Sequence, residues 1–457
     1  MLELLVELDR ASAEPLHRQL ERELRGAVRD GRLRSSSALP SSRALAGQLG
    51  VSRGIVVEAY EQLIAEGYLA SRPGGATHVA RSAVAAPAPR SVPPSPAVEF
   101  DFRPGRPEVA EFPRAAWLRS LRRVLAGAPS DRFTYLGGRG VPELRTALAE
   151  YLNRARGTAS DPADVVVCTG FVQGLSLVVR ALRERGVRRI AVEDPSDPDF
   201  RSIIAAGGLD WVAVEVDDAG LRVDRLDETD AGAVLVTAAH QYPTGSVLPP
   251  ARRAALVDWA RRRDGTIIED DYDAEFRYDR EPIGAIQGLG PDHVVYGGSA
   301  SKILAPGLRL GWLVVPPSFV DAVTAAKQAV DNGSGAFDQL AFADVLARGE
   351  LDHHLRRMRP IYRRRRDALL AALARHLPGL EPIGASAGLH LLAWLPSAMS
   401  EAALLEGAAR VGIGLTGLTS RRVAPGREGL IFGYGAIAEG AIDEGIRRLA
   451  TVAVAAR

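Results

Sequence analysis

A proline-rich segment divides this chain and limits what can form on either side of it. Residues 83–98 contain five prolines and no carboxylate. Because proline lacks the N–H that a helix needs, such a segment extends as a semi-rigid spacer. We therefore predict a front domain over residues 1–80, a linker over 81–98 and a second domain over 99–457. Within the second domain, a large part spans about 120–340 and a small part is built from the remaining ends.

The numbers of basic and acidic residues are nearly equal, which excludes nucleic-acid binding that depends on a high net positive charge. The 57 basic residues face 56 acidic ones, which leaves a formal charge of +1. Any nucleic-acid surface must therefore be local. Lys302 and Lys327 are the only lysines, and the other 55 basic residues are arginines. Chemistry that needs a lysine has two candidates, and the amphipathic stretch around Lys327 predicts a solvated position for that residue.

The cysteine content indicates a reducing compartment. Cys168 is the only cysteine, which excludes an internal disulfide and a multi-cysteine zinc site. We predict no metal site, and the apolar run 165–168 favours a buried strand thiol over a reactive one. No stretch approaches the roughly 20 apolar residues of a membrane span, and the N-terminus lacks the basic region of a signal peptide. The expectation is a cytoplasmic protein with no membrane contact.

The front segment has the pattern of three helices followed by a hairpin. Apolar residues recur at helical spacing over residues 16–28. A second helix should start after Ser41, whose hydroxyl can cap free N–H groups, and a third should start at Ser52. Two short apolar runs then flank the turn residues 72–75. This layout predicts a winged helix-turn-helix, which is an α+β domain.

Arginines in the front segment favour a DNA-binding surface. Residues 31–57 contain no carboxylate but include Arg32, Arg34, Arg43 and Arg53. Arg53 lies where a recognition helix meets bases and phosphates, and Arg43 suits a backbone phosphate. Arg72 and two glycines at the hairpin tip allow close approach to a phosphate or a minor groove. The alternative is a packed domain with a solvated basic face, since residues 1–81 hold 11 arginines and 10 carboxylates.

Four motifs in the front segment resemble the GntR-type winged helix. They are residues 15–20, 39–46, 49–53 and 59–69, with a mild departure in the wing at 74–79. The resemblance covers the whole segment and implies binding to a double-stranded DNA operator. The contacts that it implies come from Ser42, Arg43, Ser52, Arg53, Arg72, Gly74, Thr77 and His78.

Behind the linker, short apolar runs alternate with helical segments. The runs are 165–168, 190–192, 211–216, 233–236, 266–268, 294–296 and 310–315. Near-continuously apolar strands separated by crossover segments predict a mainly parallel sheet that is covered on both faces. The predicted fold class is therefore multidomain, with an α/β domain following the winged helix. Ligands of such sheets bind beyond the carboxyl ends of the strands.

Two of these strands end in residues that suit one kind of chemistry. The run 294–298 leads to Lys302, and a lysine in an apolar setting can form a Schiff base with an aldehyde. The donors for a phosphate would be Ser299, Ser301 and Arg309. The run 266–268 leads to Asp270 and Tyr272, which could hold a pyridine nitrogen and a ring hydroxyl. Taken singly, an acidic strand end is usually a solvated loop and an isolated lysine is usually on the surface.

In combination, these motifs resemble the fold-type I aminotransferases. The resemblance spans residues 99–457 and implies pyridoxal 5'-phosphate attached to Lys302. It also implies that Tyr135 reaches the phosphate of the partner subunit. Phe171 and Val172 would belong to the turn that cradles the phosphate. His240 and Gln241 would belong to the loop that contacts the ring.

A GntR-type winged helix joined to an aminotransferase-like domain is the architecture of MocR-type transcriptional regulators. Residues 269–276 and 301–309 are similar to that group's own motifs. The resemblance implies a homodimer with shared cofactor sites. It further implies a small-molecule effector, either pyridoxal phosphate or an amino compound, and control of genes for vitamin B6 or amino-compound metabolism.

Two departures from the family pattern bear on whether the domain is an enzyme. Ser196-Asp197 replaces the usual Gly-Tyr, which removes an aromatic contact and adds a carboxylate near the expected site. Ile431 stands where aminotransferases carry an arginine for the substrate carboxylate, and Arg427 is nearby but off position. Because catalysis needs an oriented substrate, both departures favour a sensor. A competent aminotransferase with a DNA-binding appendage is the alternative.

Overall fold

The computed structural model describes residues 6–71, 75–80, 98–278 and 283–455. The chain divides into two compact units, Met1–Ser95 and Pro96–Arg457. Residues 81–97 of the expected linker lie outside the described residues, as do the expected DNA contacts Arg72 and Gly74. None of the described helices is long and apolar enough to cross a membrane.

The first unit has the expected order of three helices and a hairpin. Its elements are α1 (Leu16–Arg29), α2 (Ser42–Leu49), α3 (Arg53–Ala65), β1 (Leu69–Ala70) and β2 (His78–Val79). The two strands pair antiparallel. The Ser41 hydroxyl accepts a hydrogen bond from the backbone N–H of Ala44 at 3.3 Å, so the predicted cap of α2 is present. Gly50 ends α2 with φ +61°, a conformation that glycine adopts without strain.

One small apolar core holds this unit together. Leu20 and Leu24 of α1 and Val56 and Leu63 of α3 are fully buried, and Leu45 of α2 joins them. Buried apolar residues at helical spacing fix the faces that α1 and α3 turn toward each other. The N-terminal turns of α2 and α3 and the faces that point away from this core remain exposed, and they carry the polar residues described below.

The second unit alternates strands and helices. Its elements in chain order are β3 (Phe100–Asp101), α4 (Arg114–Gly127), α5 (Pro142–Arg156), β4 (Val165–Cys168), α6 (Phe171–Glu184), β5 (Arg189–Asp194), α7 (Pro198–Ala206), β6 (Asp210–Asp217), β7 (Gly220–Leu221), β8 (Ala233–Val236), α8 (Pro250–Arg263), β9 (Thr266–Asp270), β10 (Val294–Ser299), α9 (Ala300–Ile303), β11 (Gly311–Val314), α10 (Val320–Asp331), α11 (Ala336–Ala347), α12 (Glu350–His376), β12 (Glu381–Ile383), β13 (His390–Trp394), α13 (Glu401–Arg410), β14 (Ile413–Gly414), β15 (Thr416–Gly417), β16 (Gly429–Gly433) and α14 (Glu439–Ala455).

Eight strands form the central sheet in the order β4-β11-β10-β9-β8-β5-β6-β7. The pairs from β10 to β6 are parallel. The strand β11 runs antiparallel to both β10 and β4, and β7 runs antiparallel to β6. The sequence-based prediction of a mainly parallel sheet is confirmed, and all seven predicted strands belong to it.

Adjacent residues of one strand face opposite sides of the sheet, and both sides are covered. Ile190 and Val192 of β5 pack in a buried cluster that contains Leu175 of α6. Ala191, between them, faces the other side and packs in a cluster that contains Trp259 of α8. This burial on both sides explains why the strands read as continuously apolar in the sequence.

The predicted environment of Cys168 is confirmed, but that of Lys327 is wrong. Cys168 is fully buried at the end of β4, and burial raises the pKa of its thiol to about 12. Lys327 is also fully buried, although a solvated position was expected. Its ammonium group pairs with Asp331 one turn along α10 and donates to the Ser334 hydroxyl at 2.8 Å. These two partners make burial of the charge tolerable.

A smaller sheet follows the central one in the chain. Its strand order is β12-β13-β16-β15, and all its pairs are antiparallel. Ile431 lies in β16, where it is fully buried against Leu392 and Leu418. Thr416 of β15 pairs with Ile431. This sheet and the segment after β15 supply residues to the site in the second unit.

Candidate functional site

In the first unit, the structure joins two of the expected DNA contacts directly. Arg53 at the start of α3 donates from Nε to the Ser42 hydroxyl at 3.3 Å. Arg43 and Ser52 are exposed next to them. The N-terminal turns of α2 and α3 therefore present two guanidinium groups and two hydroxyls on one surface, which suits phosphate and base contacts.

The hairpin contributes to the same surface. Thr77 and His78 are half-buried at β2. A surface pocket of about 310 Å³ is lined by both Ser42 and Thr77. His78 contacts the carbonyl of Ala76 through Nδ1 at 3.3 Å. The described contacts of the hairpin thus lie beside the start of α2.

In the second unit, a cavity of about 520 Å³ lies at the carboxyl ends of β9 and β10. These strands are parallel neighbours, with Asp270 in register with Gly297. Most of the expected cofactor residues line this cavity, namely Phe171, Val172, Asp270, Tyr272, Ser299, Ser301, Lys302 and Arg309. The volume lies within the range of small-molecule and cofactor sites.

Lys302 lies on the short helix α9, directly after β10. Its Nζ donates to the carbonyl of Gly105 at 2.8 Å. Burial lowers the pKa of Lys302, and the carboxylates of Asp270, Asp273 and Asp197 act in the opposite direction. A lowered pKa increases the fraction of uncharged amine, which is the nucleophilic form.

Asp270 lies at the end of β9 and is almost wholly buried. Burial raises its pKa well above the ordinary value, the charge of Asp271 raises it further, and Lys302 lowers it. A cationic ring nitrogen beside this carboxyl would favour its charged form for the same reason that Lys302 does. The Tyr272 hydroxyl donates to the carbonyl of His240 at 2.9 Å.

The other end of the cavity suits a phosphate. The Arg309 guanidinium donates to the carbonyl of Thr169 and lies beside Gly170, where a Cβ would come within 3.2 Å of it. Gly170 precedes α6 with φ +103°, and no side chain among the described residues caps the first N–H groups of that helix. Helix N-termini and guanidinium groups bind anions. An amine, a carboxyl and a phosphate-binding end in one cavity fit pyridoxal phosphate.

Comparisons with known proteins match each of the two units to a family. Residues 16–79 match the family of bacterial regulatory proteins, gntR family, and residues 107–422 match aminotransferase class I and II. The chain is 32% identical to the probable rhizopine catabolism regulatory protein MocR of Rhizobium meliloti, over 97% of this chain and 94% of that protein. The chain belongs to the MocR-type transcriptional regulators.

Another relative of this MocR-type chain is the pyridoxine biosynthesis transcriptional regulator PdxR of Corynebacterium glutamicum. The two are 35% identical over 91% of each chain. Among solved structures, the multiple substrate aminotransferase of Thermococcus profundus matches with a TM-score of 0.72 and 26% identity, covering 80% of this chain and 93% of that one. The MocR-type chain therefore combines a DNA-binding winged helix with a fold-type I domain that binds pyridoxal phosphate.

His240 and Gln241, which were expected at the ring, do not line the cavity of this MocR-type chain, and neither does Tyr135, which was expected at the phosphate of the partner subunit. His240 is buried and contacts Asp273 through Nδ1 at 3.1 Å. The amide of Gln241 donates to the carbonyl of Pro195 at 2.9 Å and to Glu193 at 3.2 Å. Tyr135 is 90% exposed. The structure thus places His240 and Gln241 behind the cavity wall and Tyr135 on the surface.

Several lining residues were not predicted from the sequence. They include Arg103, Arg106, Tyr242, Asp273, His390, Thr416 and Arg421. Tyr242 directly follows the predicted pair 240–241, so the predicted loop borders the cavity through the Tyr242 side chain. Burial raises the pKa of Tyr242 to about 12. Arg421 and Thr416 are remote in sequence from the strand ends, and no local pattern marks them.

Proposed function

We propose that this MocR-type regulator senses pyridoxal phosphate, or an amino compound that reaches the same cavity, and changes its DNA binding in response. The observation that carries the proposal is the joint position of Lys302, Asp270 and Arg309 in one cavity. The names of its relatives, which refer to pyridoxine biosynthesis and rhizopine catabolism, support vitamin B6 or amino-compound genes as targets. A cytoplasmic location is part of the proposal.

Different residues of the cavity would bind different parts of the cofactor. When bound, pyridoxal phosphate supplies an aldehyde that reacts with primary amines and a ring that withdraws electrons. Lys302 would attach it, Asp270 would hold the ring nitrogen and Tyr272 the ring hydroxyl. Arg309, Ser299 and Ser301 would bind the phosphate. The N-terminus of α6, at Phe171 and Val172, would also bind it.

We further propose a homodimer. Tyr135 is exposed although it is a large aromatic residue, and the exposed ring of Phe133 packs against Phe337 at 5.5 Å between centroids. Exposed aromatic residues in a cluster suit an interface between subunits. A dimer would also present two DNA-binding heads to two half-sites, and its arrangement could change when the effector binds.

A working aminotransferase is the second candidate function. Ile431 is buried and apolar, so this position of β16 offers no guanidinium to a substrate carboxylate. Arg427 is paired with Glu381 at 2.8 Å and does not line the cavity. Arg421 does line it, however, and this observation keeps the enzymatic alternative open.

The deciding experiment uses the full-length protein, prepared first without and then with pyridoxal phosphate, and DNA from upstream of its own gene. We expect the DNA affinity to change when cofactor or amine is added. Unchanged DNA affinity under all conditions would contradict the sensor. A single-turnover assay with common amino acids tests the alternative, because full conversion to pyridoxamine phosphate and turnover with a keto acid would establish an aminotransferase.

A further inference from the structure

Two opposite charges face each other in the cavity beside the cofactor residues. Asp197 and Arg421 both line it, and Oδ1 of Asp197 lies 3.6 Å from Nη1 of Arg421. Their side chains are 34% and 22% exposed. A single contact at this distance is weak, because bidentate geometry is what makes guanidinium–carboxylate pairs strong.

The backbone on both sides of this pair is held firmly. The Asp197 carboxylate caps α7 by accepting from the N–H of Asp199 at 3.1 Å. The carbonyl of Arg421 accepts from the N–H of Ser196 at 3.0 Å. Both charged groups are thus positioned, while Nε of Arg421 is buried and has no hydrogen-bond partner among the residues that the structure describes.

The charged lining groups that are not assigned to the cofactor, Arg103, Arg106 and Asp273, have stronger partners. Arg103 forms two hydrogen bonds of 2.8 Å with Asp101, and Arg106 pairs with the same carboxylate. Asp273 is bonded to His240. The weakly paired Asp197 and Arg421 are therefore the groups that a ligand can recruit. Asp197 and Arg421 can bind a ligand that also reaches Lys302, because Asp197 is near enough for its charge to raise the pKa of Lys302.

A ligand whose only charge in this region is negative or positive pairs with one member of this pair and leaves the other without a charged partner. A carboxylate on Arg421 separates it from Asp197, and an ammonium on Asp197 separates it from Arg421. Resting on the proposed function, we infer that the effector is a diamino carboxylic acid. One amine faces Lys302, the carboxylate binds Arg421 and the second ammonium binds Asp197.

Three probes that differ by one group test this inference. L-Lysine has both charges, L-norleucine lacks the second ammonium and cadaverine lacks the carboxylate. We expect calorimetric titration of the full-length, cofactor-loaded protein to show L-lysine binding about tenfold more tightly than either analogue. Asp197→Asn keeps a capping side chain on α7 and should remove the preference for L-lysine over L-norleucine.

Asp199→Asn is the matched control, because it removes an exposed carboxylate from the same helix that does not line the cavity. It should keep the preference. Equal affinity of the unmodified protein for the three probes would overturn the inference, as would an unchanged preference in Asp197→Asn or an equal loss in Asp199→Asn. Failure to take up pyridoxal phosphate at all would instead contradict the proposed function.

Discussion

Arg156 donates from Nε to Oδ2 of Asp271 at 2.8 Å, and the two side chains are only 1% and 2% exposed. The Tyr296 hydroxyl donates to the same oxygen at 2.9 Å. Asp271 directly follows Asp270 and raises the pKa of that carboxyl. The buried pair therefore gives a compensating positive charge to Asp271, the direct neighbour of the carboxyl that we assign to the cofactor ring.

Breaking this pair should destabilise the protein strongly. Arg156→Met leaves the Asp271 carboxylate buried without its charged partner, which costs about 3–5 kcal/mol. Arg154→Met is the control, since Arg154 lies on the same helix but is largely exposed in its pair with Asp352, and such a pair contributes about 0–1 kcal/mol. Denaturant unfolding measures both, and equal losses would show that the burial of the Arg156 pair has no energetic consequence.

Lys302 should be the site of covalent attachment. Borohydride reduction of the loaded protein is expected to label one lysine peptide, which mass spectrometry can identify because the chain has two lysines. Lys302→Ala should remove the label, since an alanine offers no amine. Label on the Lys327 peptide, or label that persists in Lys302→Ala, would show that the wrong lysine was assigned.

Glu193 should make stability depend on pH. Burial raises the pKa of Glu193 from its ordinary 4.5 to about 7, although Thr237 and Gln241 donate hydrogen bonds to it. The folded protein therefore binds this proton more tightly than the unfolded chain. The resulting stability is full below pH 4.5 and is lost as the pH rises through 7, by about 3.5 kcal/mol at about 1.4 kcal/mol per pKa unit.

Thermal unfolding across the interval between these two pKa values checks this dependence. Glu193→Gln cannot ionise and should lose less stability across this range than the unmodified protein. Glu150→Gln changes an exposed glutamate on α5 and should follow the unmodified protein. If all three proteins show the same slope, Glu193 does not carry the pH dependence.

Arg53 should contribute to DNA affinity without affecting the cofactor. Arg53→Ala removes an exposed guanidinium from the start of α3 and should weaken operator binding about tenfold, as expected for one base or phosphate contact. Arg18→Ala, which changes an exposed arginine of α1, should have a smaller effect. Gel-shift titration and cofactor absorbance measure the two properties, and unchanged DNA binding in Arg53→Ala would count against the recognition-helix assignment.

The amino-acid sequence by itself determined the main elements and two lining residues of the cavity that we assign to the cofactor. The hydroxyl of Ser41 predicted the N-terminal cap of α2, and the apolar runs predicted the strands. Both features depend on residues close in the chain. Asp270 and Lys302 were also predictable, since parallel strands bring their carboxyl ends to one edge of a sheet. Tertiary structure alone decided that Arg421 faces Asp197, that Gln241 points away from the cavity and that Lys327 is buried. Those positions depend on packing between segments distant in sequence, which no local pattern records.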